Sequence, residues 1–127
     1  MKRVLSVLLV MVCLMGYAAA EGVSDDINKM LTTLYWMYTF DNNLDVKYID
    51  MAAAYLILEA DTRMMEASSL LEISGMEDAY EARVAGWMGI IKYVSDMRLS
   101  YSNGEITRDV YAEKLFTVIK SNLDTAK

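Results

Sequence analysis

The chain has 127 residues, which is enough for one domain, and its formal net charge at pH 7 is −6. It contains no histidine and no proline, so the usual general base, the commonest metal ligand and the main interrupter of helices are all missing. The acidic balance argues against binding of nucleic acid or anionic lipid through a basic patch.

The first twenty residues have the three-part pattern of a secretory signal peptide. Lys2 and Arg3 make a positive start, an apolar run follows over residues 4–15, and alanines occupy positions 18–20. We therefore expect cleavage after residue 20 and export of residues 21–127, to the periplasm in the first instance and to the medium as the alternative. A retained signal anchor is the competing interpretation, although the uncharged run is somewhat short for a membrane span.

Cleavage would also remove Cys13, the single cysteine of the chain. The mature domain would then hold no disulfide, no thiolate metal site and no cysteine nucleophile. Loss of Lys2 and Arg3 would take the net charge from −6 to −8. A basic protein partner is compatible with such a surface, and no membrane contact is expected after cleavage.

Four helical segments are predicted downstream, over residues 25–40, 44–73, 76–101 and 107–124. Each carries apolar residues at helical spacing, and no stretch has strand alternation long enough to compete. The breaks between them are short and rich in residues that favour turns. Long helices with short connections predict an all-α fold, arranged as an up-down-up-down antiparallel four-helix bundle.

Several side chains are predicted to fix the ends of these helices. Ser24 and Thr107 stand where the N-caps of the first and last segments would lie. Ser74 and Glu77 have the spacing of a capping box for the third segment. Gly75 could instead close the second segment in the left-handed conformation.

The apolar stripes predict which residues are buried in three of the segments. The stripe of the first segment is Ile27, Met30 or Leu31, Leu34, and Met37 or Tyr38. The stripe of the second segment is Ile49, Ala53, Leu56, Ala60, Met64, Ala67 and Leu71. The stripe of the fourth segment is Tyr111, Leu115, Val118, Ile119 and Leu123. Asp50, Asp61 and Glu72 are predicted to share the solvent face of the second segment.

The third segment is apolar around most of its circumference, which predicts packing from more than one side. We therefore expect it to be the central helix of the bundle. One predicted face consists of Tyr80, Val84, Trp87, Ile91 and Val94; a second, made of small residues, consists of Ala82, Ala85, Gly86 and Gly89, with Tyr93 beside them. Another backbone is expected to approach this second face closely, either within the bundle or as a partner helix or apolar ligand.

Two acidic patterns resemble metal or acid–base sites. Residues 41–45 match the first ligand positions of an EF-hand loop, but Val46 replaces the required glycine and Ala52 the bidentate glutamate. The turn is therefore expected to cap helix ends instead. Glu59 and Glu66 could act as paired carboxylates, yet Arg63 between them predicts a salt-bridged surface.

Eight methionines fall in the predicted mature domain. Thioethers are soft ligands for Cu(I), but methionine also fills irregular gaps in cores and adapts to binding partners. Core filling is the preferred interpretation, and no metal or cofactor is predicted. The methionines are Met30, Met37, Met51, Met64, Met65, Met76, Met88 and Met97.

No catalytic constellation is recognisable, so the sequence predicts a protein that is not an enzyme. The leading hypothesis is that it binds another protein, as an inhibitor, an immunity protein, or a chaperone or adaptor. The alternative is a carrier of a small apolar ligand or Cu(I) in an interior rich in methionine and aromatic residues. The surface formed by Ala82, Ala85, Gly86, Gly89 and Tyr93 is the candidate for contact with a partner or ligand.

Overall fold

The structure, a computed structural model, describes the backbone of residues 17–41 and 43–125 and the side chains of 25–41 and 43–123. Within these residues four α-helices follow one another, and no strand is present. They are α1 (Tyr17–Phe40), α2 (Val46–Ala67), α3 (Glu77–Ser102) and α4 (Arg108–Thr125), with a short 3-10 helix (Ser68–Glu72) after α2. The all-α prediction is confirmed.

The predicted signal peptide lies mostly in residues 1–16, outside the described part of the chain, and its cleavage stays a prediction. Helix α1 runs through Ser24, so the prediction that this serine caps the helix is wrong for the full chain. None of the described helices is both long and apolar enough to cross a membrane.

The second predicted segment divides into α2 and the 3-10 helix. Asp45 caps the start of α2, because its Oδ1 accepts a hydrogen bond from the backbone N–H of Lys47 at 3.0 Å. At the other end the hydroxyls of Ser68 and Ser69 donate to carbonyl oxygens three residues earlier. These bonds compete with the helical pattern, and the chain tightens into the 3-10 form over its last turn.

The turn before α3 differs from the predicted capping box. Met76 occupies the N-cap position and makes no side-chain capping bond, so the pairing of Ser74 with Glu77 is not formed. Gly75 does adopt the left-handed conformation, with φ of +85°, but it follows the 3-10 helix rather than α2. Glycine reaches this conformation without the steric penalty of a Cβ atom.

The connection between α3 and α4 is built as the sequence predicts. Gly104 has φ of +75°, and its N–H donates to the carbonyl of Tyr101 at 3.0 Å. The N–H of Glu105 donates to the carbonyl of Ser100 at 2.9 Å, which completes a Schellman motif. Thr107 then caps α4, because its hydroxyl oxygen accepts from the N–H of the third helical residue at 3.2 Å.

The core is centred on α2 rather than on α3. Helix α2 contributes nine buried residues, whereas α3 contributes only Val94 and Met97. Alanines at 52, 53 and 60 are fully buried, and their small side chains let the neighbouring helices approach α2 closely. The prediction that the third helix is central is therefore wrong.

The predicted stripes of α1 and α4 are confirmed in their main members, and that of α2 over most of its length. Buried members of the predicted stripes are Ile27, Leu31, Leu34, Ile49, Ala53, Leu56, Ala60, Ala67, Tyr111, Leu115 and Ile119. Met64 is only half-buried, and Leu71, at the end of the 3-10 helix, is exposed.

A polar contact joins three helices near the start of α2. The buried Tyr111 hydroxyl of α4 donates to Asp50 Oδ1 at 2.8 Å, and Arg98 Nε of α3 lies 3.8 Å from the same oxygen. Asp50 is consequently half-buried and does not lie on the solvent face as predicted. Burial, followed by the bond to Asp50, raises the pKa of Tyr111, so this phenol remains a donor.

Candidate functional site

The small-residue face of α3 is exposed along its whole length. We call Ala82, Ala85, Gly86, Gly89 and Tyr93 the α3 surface. A Cβ atom added at Gly86 or Gly89 would meet nothing within 4 Å. The expectation that a helix of the same bundle approaches here is wrong for the described residues. Binding by this surface stays a prediction.

Acidic side chains flank the α3 surface at both ends. Asp78 and Asp96 are exposed and lie on the same side of the helix, at helical spacing from Ala82 and Tyr93. Lys92 Nζ donates to Asp96 Oδ2 at 3.1 Å, so that end of the surface is partly neutralised. The result is an open strip of small residues between two carboxylates.

A second site is a cleft of about 420 Å³ to which all four helices contribute. We call it the polar cleft. It is lined by residues of the middle of α1, the N-terminal part of α3 and the C-terminal parts of α2 and α4. Its lining residues are Asn28 and Leu31 of α1, Glu59, Arg63, Glu66 and Ala67 of α2, Arg83 and Trp87 of α3, and Asn122 and Leu123 of α4.

Each helix places a polar side chain of the cleft in line with its own core residues. In α3, Arg83 and Trp87 precede Ile90, Val94 and Met97 at alternating spacings of four and three. The predicted face, which began at Tyr80, is also covered: its first four members are half-buried and Val94 is buried, whereas Arg83 is exposed beside it. In α4, Asn122 lies three residues after the buried Ile119. A charged or amide residue continuing an apolar stripe was the sequence signal for this site, and it was missed.

Glu59 and Arg63 form the floor of the cleft. Glu59 is only 3% exposed, and its Oε1 accepts from Arg63 Nε at 2.8 Å. Arg63 Nη1 also donates to Glu66 Oε2 at 3.1 Å. Burial lowers the pKa of Arg63, but the bond to Glu59 and both carboxylate charges raise it, and the net shift is upward. The predicted ion pairs are confirmed, although Glu59 is buried rather than on the surface.

Two hydrogen-bond donors of the cleft are not satisfied within the described residues. Asn122 Nδ2 is buried and has no hydrogen-bond partner there. Arg83 is exposed at the edge of the cleft and forms no ion pair with any carboxylate in that part of the chain. The carboxylates of the cleft, by contrast, already accept hydrogen bonds from Arg63. The cleft therefore has a surplus of donors.

The loop at residues 41–45 and the methionines, which the sequence offered as possible metal ligands, have structural roles. Asp41 Oδ1 accepts from the N–H of Asn43 at 3.0 Å, and Asp45 caps α2, so the loop acts as the expected capping turn. Across the described residues, no group of three histidine, cysteine, aspartate or glutamate side chains is placed to hold a metal ion. Of the eight methionines among the described residues, Met97 is buried, Met51 and Met88 are exposed, and the other five are half-buried.

The α3 surface and the polar cleft lie on different faces of the same half of α3. Both sites are formed by residues of this chain. Comparison of the chain with protein-family models, with curated proteins and with solved structures gives no match.

Proposed function

We propose that this protein acts without catalysis, by binding another protein through the α3 surface. Gly86 and Gly89 carry the proposal, because glycine inside a helix costs about 1 kcal/mol relative to alanine. Neither glycine meets a neighbour within the described residues. Close approach of a partner backbone would offset that cost, and inhibitor, immunity and chaperone or adaptor roles all use such a contact.

The geometry of the surface favours a partner helix. Ala82 with Gly86, and Ala85 with Gly89, repeat small residues at a spacing of four, which lets two helix backbones come close. A helix docking here would present apolar residues at helical spacing. Basic side chains at its ends would suit Asp78 and Asp96, and the negative net charge of the chain would speed encounter.

We also propose export and an up-down-up-down antiparallel bundle. The lining of the cleft supports the bundle, because the N-terminal part of α3 meets the C-terminal parts of α2 and α4 there. Short connections between consecutive helices fit the same arrangement. Export rests on the pattern of the first twenty residues. N-terminal sequencing of protein from the cell envelope should begin at Glu21, and recovery of Met1 on membrane-embedded protein would indicate an anchor.

The protein-binding proposal is tested by comparative capture. Affinity capture from the native cell envelope is performed with wild type, Gly86→Leu and Ser95→Leu. Ser95 is an exposed α3 position outside the α3 surface, so its variant adds the same bulk elsewhere. A stoichiometric partner should bind wild type and Ser95→Leu but not Gly86→Leu. A Gly86→Leu protein that keeps the partner would contradict the proposal.

A second candidate function is carriage of a small ligand, and the polar cleft is the observation that favours it. Its volume lies in the range of small-molecule sites, which is about 300–1,000 Å³. No methionine lines the cleft. An organic ligand is therefore better supported at this site than Cu(I).

A further inference from the structure

The starting observation is the imbalance of donors and acceptors in the polar cleft. Asn122 Nδ2 is buried without a hydrogen-bond partner among the described residues, and such a group costs free energy unless a partner is supplied. Arg83 brings a guanidinium that no described carboxylate pairs. The side-chain carboxylates of the cleft are engaged by Arg63. A ligand that completes this site must therefore bring an acceptor.

The charges of the cleft limit how much negative charge a ligand can bring. Arg63 lies between two carboxylates, so this cluster carries one net negative charge. Arg83 adds one positive charge. A dianion such as a phosphate monoester would be repelled by the cluster, whereas one carboxylate needs only one cation. The planar carboxylate also fits the fork of a guanidinium better than other singly charged groups.

The rest of the lining is apolar. Trp87 is half-buried beside Leu31 and Leu123, and Ala67 adds a small side chain. An indole face and two leucines favour an aliphatic or aromatic body about the size of a drug fragment. A purely polar anion would leave this side of the cleft in contact with water.

We propose that the polar cleft binds an amphipathic monocarboxylate. Its carboxylate accepts hydrogen bonds from Arg83 and from the amide of Asn122, and its apolar body lies against Trp87, Leu31 and Leu123. This inference deepens the second candidate function and does not depend on the α3 surface. The same chemistry is offered by a free carboxylic acid and by the C-terminus of an apolar peptide, and the experiment separates these two sources.

The test uses protein from cells that express the full-length gene, in the processed form they yield. Trp36→Phe leaves Trp87 as the only indole, and the phenyl ring keeps an aromatic group beside Tyr35 and Phe40. Trp87 fluorescence then reports titrations with octanoate and its neutral counterpart octanamide. Octanoate should saturate the fluorescence change and bind roughly tenfold more tightly than octanamide. This difference in affinity is the effect of one charge-assisted hydrogen bond.

Two variants of α3 form a matched pair. Arg83→Met removes the cation of the cleft and should abolish the preference for octanoate. Lys92→Met removes the same charge from the opposite side of the helix, where the lysine side chain is 80% exposed, and should keep the preference. Titration with N-acetyl-Ala-Ala-Leu, as acid and as amide, identifies the source of the carboxylate. If the peptide acid binds roughly tenfold more tightly than octanoate, the natural ligand is a peptide C-terminus. If octanoate binds roughly tenfold more tightly than the peptide acid, the natural ligand is a free carboxylic acid.

Asn122→Leu provides the second measurement. It should weaken octanoate binding several-fold while the melting temperature stays constant or rises, because an unsatisfied buried donor is removed. If Arg83→Met does not fold, the preference of the wild type for octanoate and the weaker octanoate binding of Asn122→Leu decide the matter.

Three results would overturn the proposal in a protein that is helical by circular dichroism. They are no saturable Trp87 response at millimolar octanoate, equal binding of octanamide, and equal weakening by Lys92→Met and Arg83→Met. None of these variants replaces a residue of the α3 surface, and the capture experiment uses other variants, so failure here leaves the test of the proposed function unaffected.

Discussion

The glycines inside α3 and the glycine that follows α3 should respond to alanine in opposite directions. Gly86 and Gly89 are helical and open, so alanine removes the backbone entropy penalty without a clash. Each replacement should stabilise the fold by up to about 1 kcal/mol, and the pair by about 1–2 kcal/mol. Gly104 has φ of +75°, where a Cβ atom is strained, and Gly104→Ala should destabilise by about 1–2 kcal/mol.

Urea denaturation followed by far-ultraviolet circular dichroism measures these changes through the transition midpoint. A double variant Gly86→Ala/Gly89→Ala that is less stable than wild type would refute the reasoning, because some part of the protein would then have to press on the α3 surface. A double variant that is more stable but binds its partner less well would explain why the chain keeps both glycines. Gly104→Ala is the control for the sign of the effect, because its backbone conformation, not its surroundings, sets the cost.

The other predictions concern the polar contacts. Tyr111→Phe removes the 2.8 Å hydrogen bond that joins α4 to α2 and should cost about 1–2 kcal/mol in urea denaturation, whereas Tyr101→Phe should cost less than about 0.5 kcal/mol. Arg63→Met leaves the buried Glu59 without its guanidinium partner and should lower the free energy of unfolding by about 2–4 kcal/mol. Adding Glu59→Gln should recover most of that loss. A larger loss in the double variant would contradict the ion-pair account. Burial raises the pKa of Asp61 above its ordinary value. The folded state therefore loses stability as the pH rises from below the ordinary pKa of aspartate through the raised one, so Asp61→Asn should melt higher than wild type at neutral pH but not below about pH 3.

Local signals predicted the start of α4 correctly but failed at the starts of α1 and α3, where neither Ser24 nor the pair Ser74 and Glu77 caps a helix. Thr107 caps α4 and Gly104 closes α3 because both effects act within a few residues. The end of α2 was harder to predict. Ser68 and Ser69 interrupt an apolar pattern that continues to Leu71, and only the structure shows their hydroxyls bonded to the preceding turn. Leu71 then lies outside the core although its spacing fits the stripe.

The predicted face of α3 is covered in the structure, because its first four members are half-buried and Val94 is buried. Arg83, beside that face, is exposed, and Ile90 on the same side as Arg83 packs against the core. The C-terminal half of α3 fixes this orientation, because Val94 and Met97 are buried and a continuous helix has a single orientation. Arg83 therefore lies at the edge of the covered face, where it is exposed and lines the polar cleft together with Trp87.

The same orientation explains why one helix carries two candidate sites. A segment that is apolar on several sides is normally covered on several sides. Over residues 77–93 the described chain covers α3 on the side of Trp87 only partly and leaves the α3 surface open. No buried residue of α3 lies in that range, so the described core contributes little to holding it. The apolar residues of this half of α3 therefore stay partly exposed to water, which lowers solubility. Contacts with other molecules would cover them. The polar cleft and the α3 surface are the two places where this half of the helix has contacts left to make.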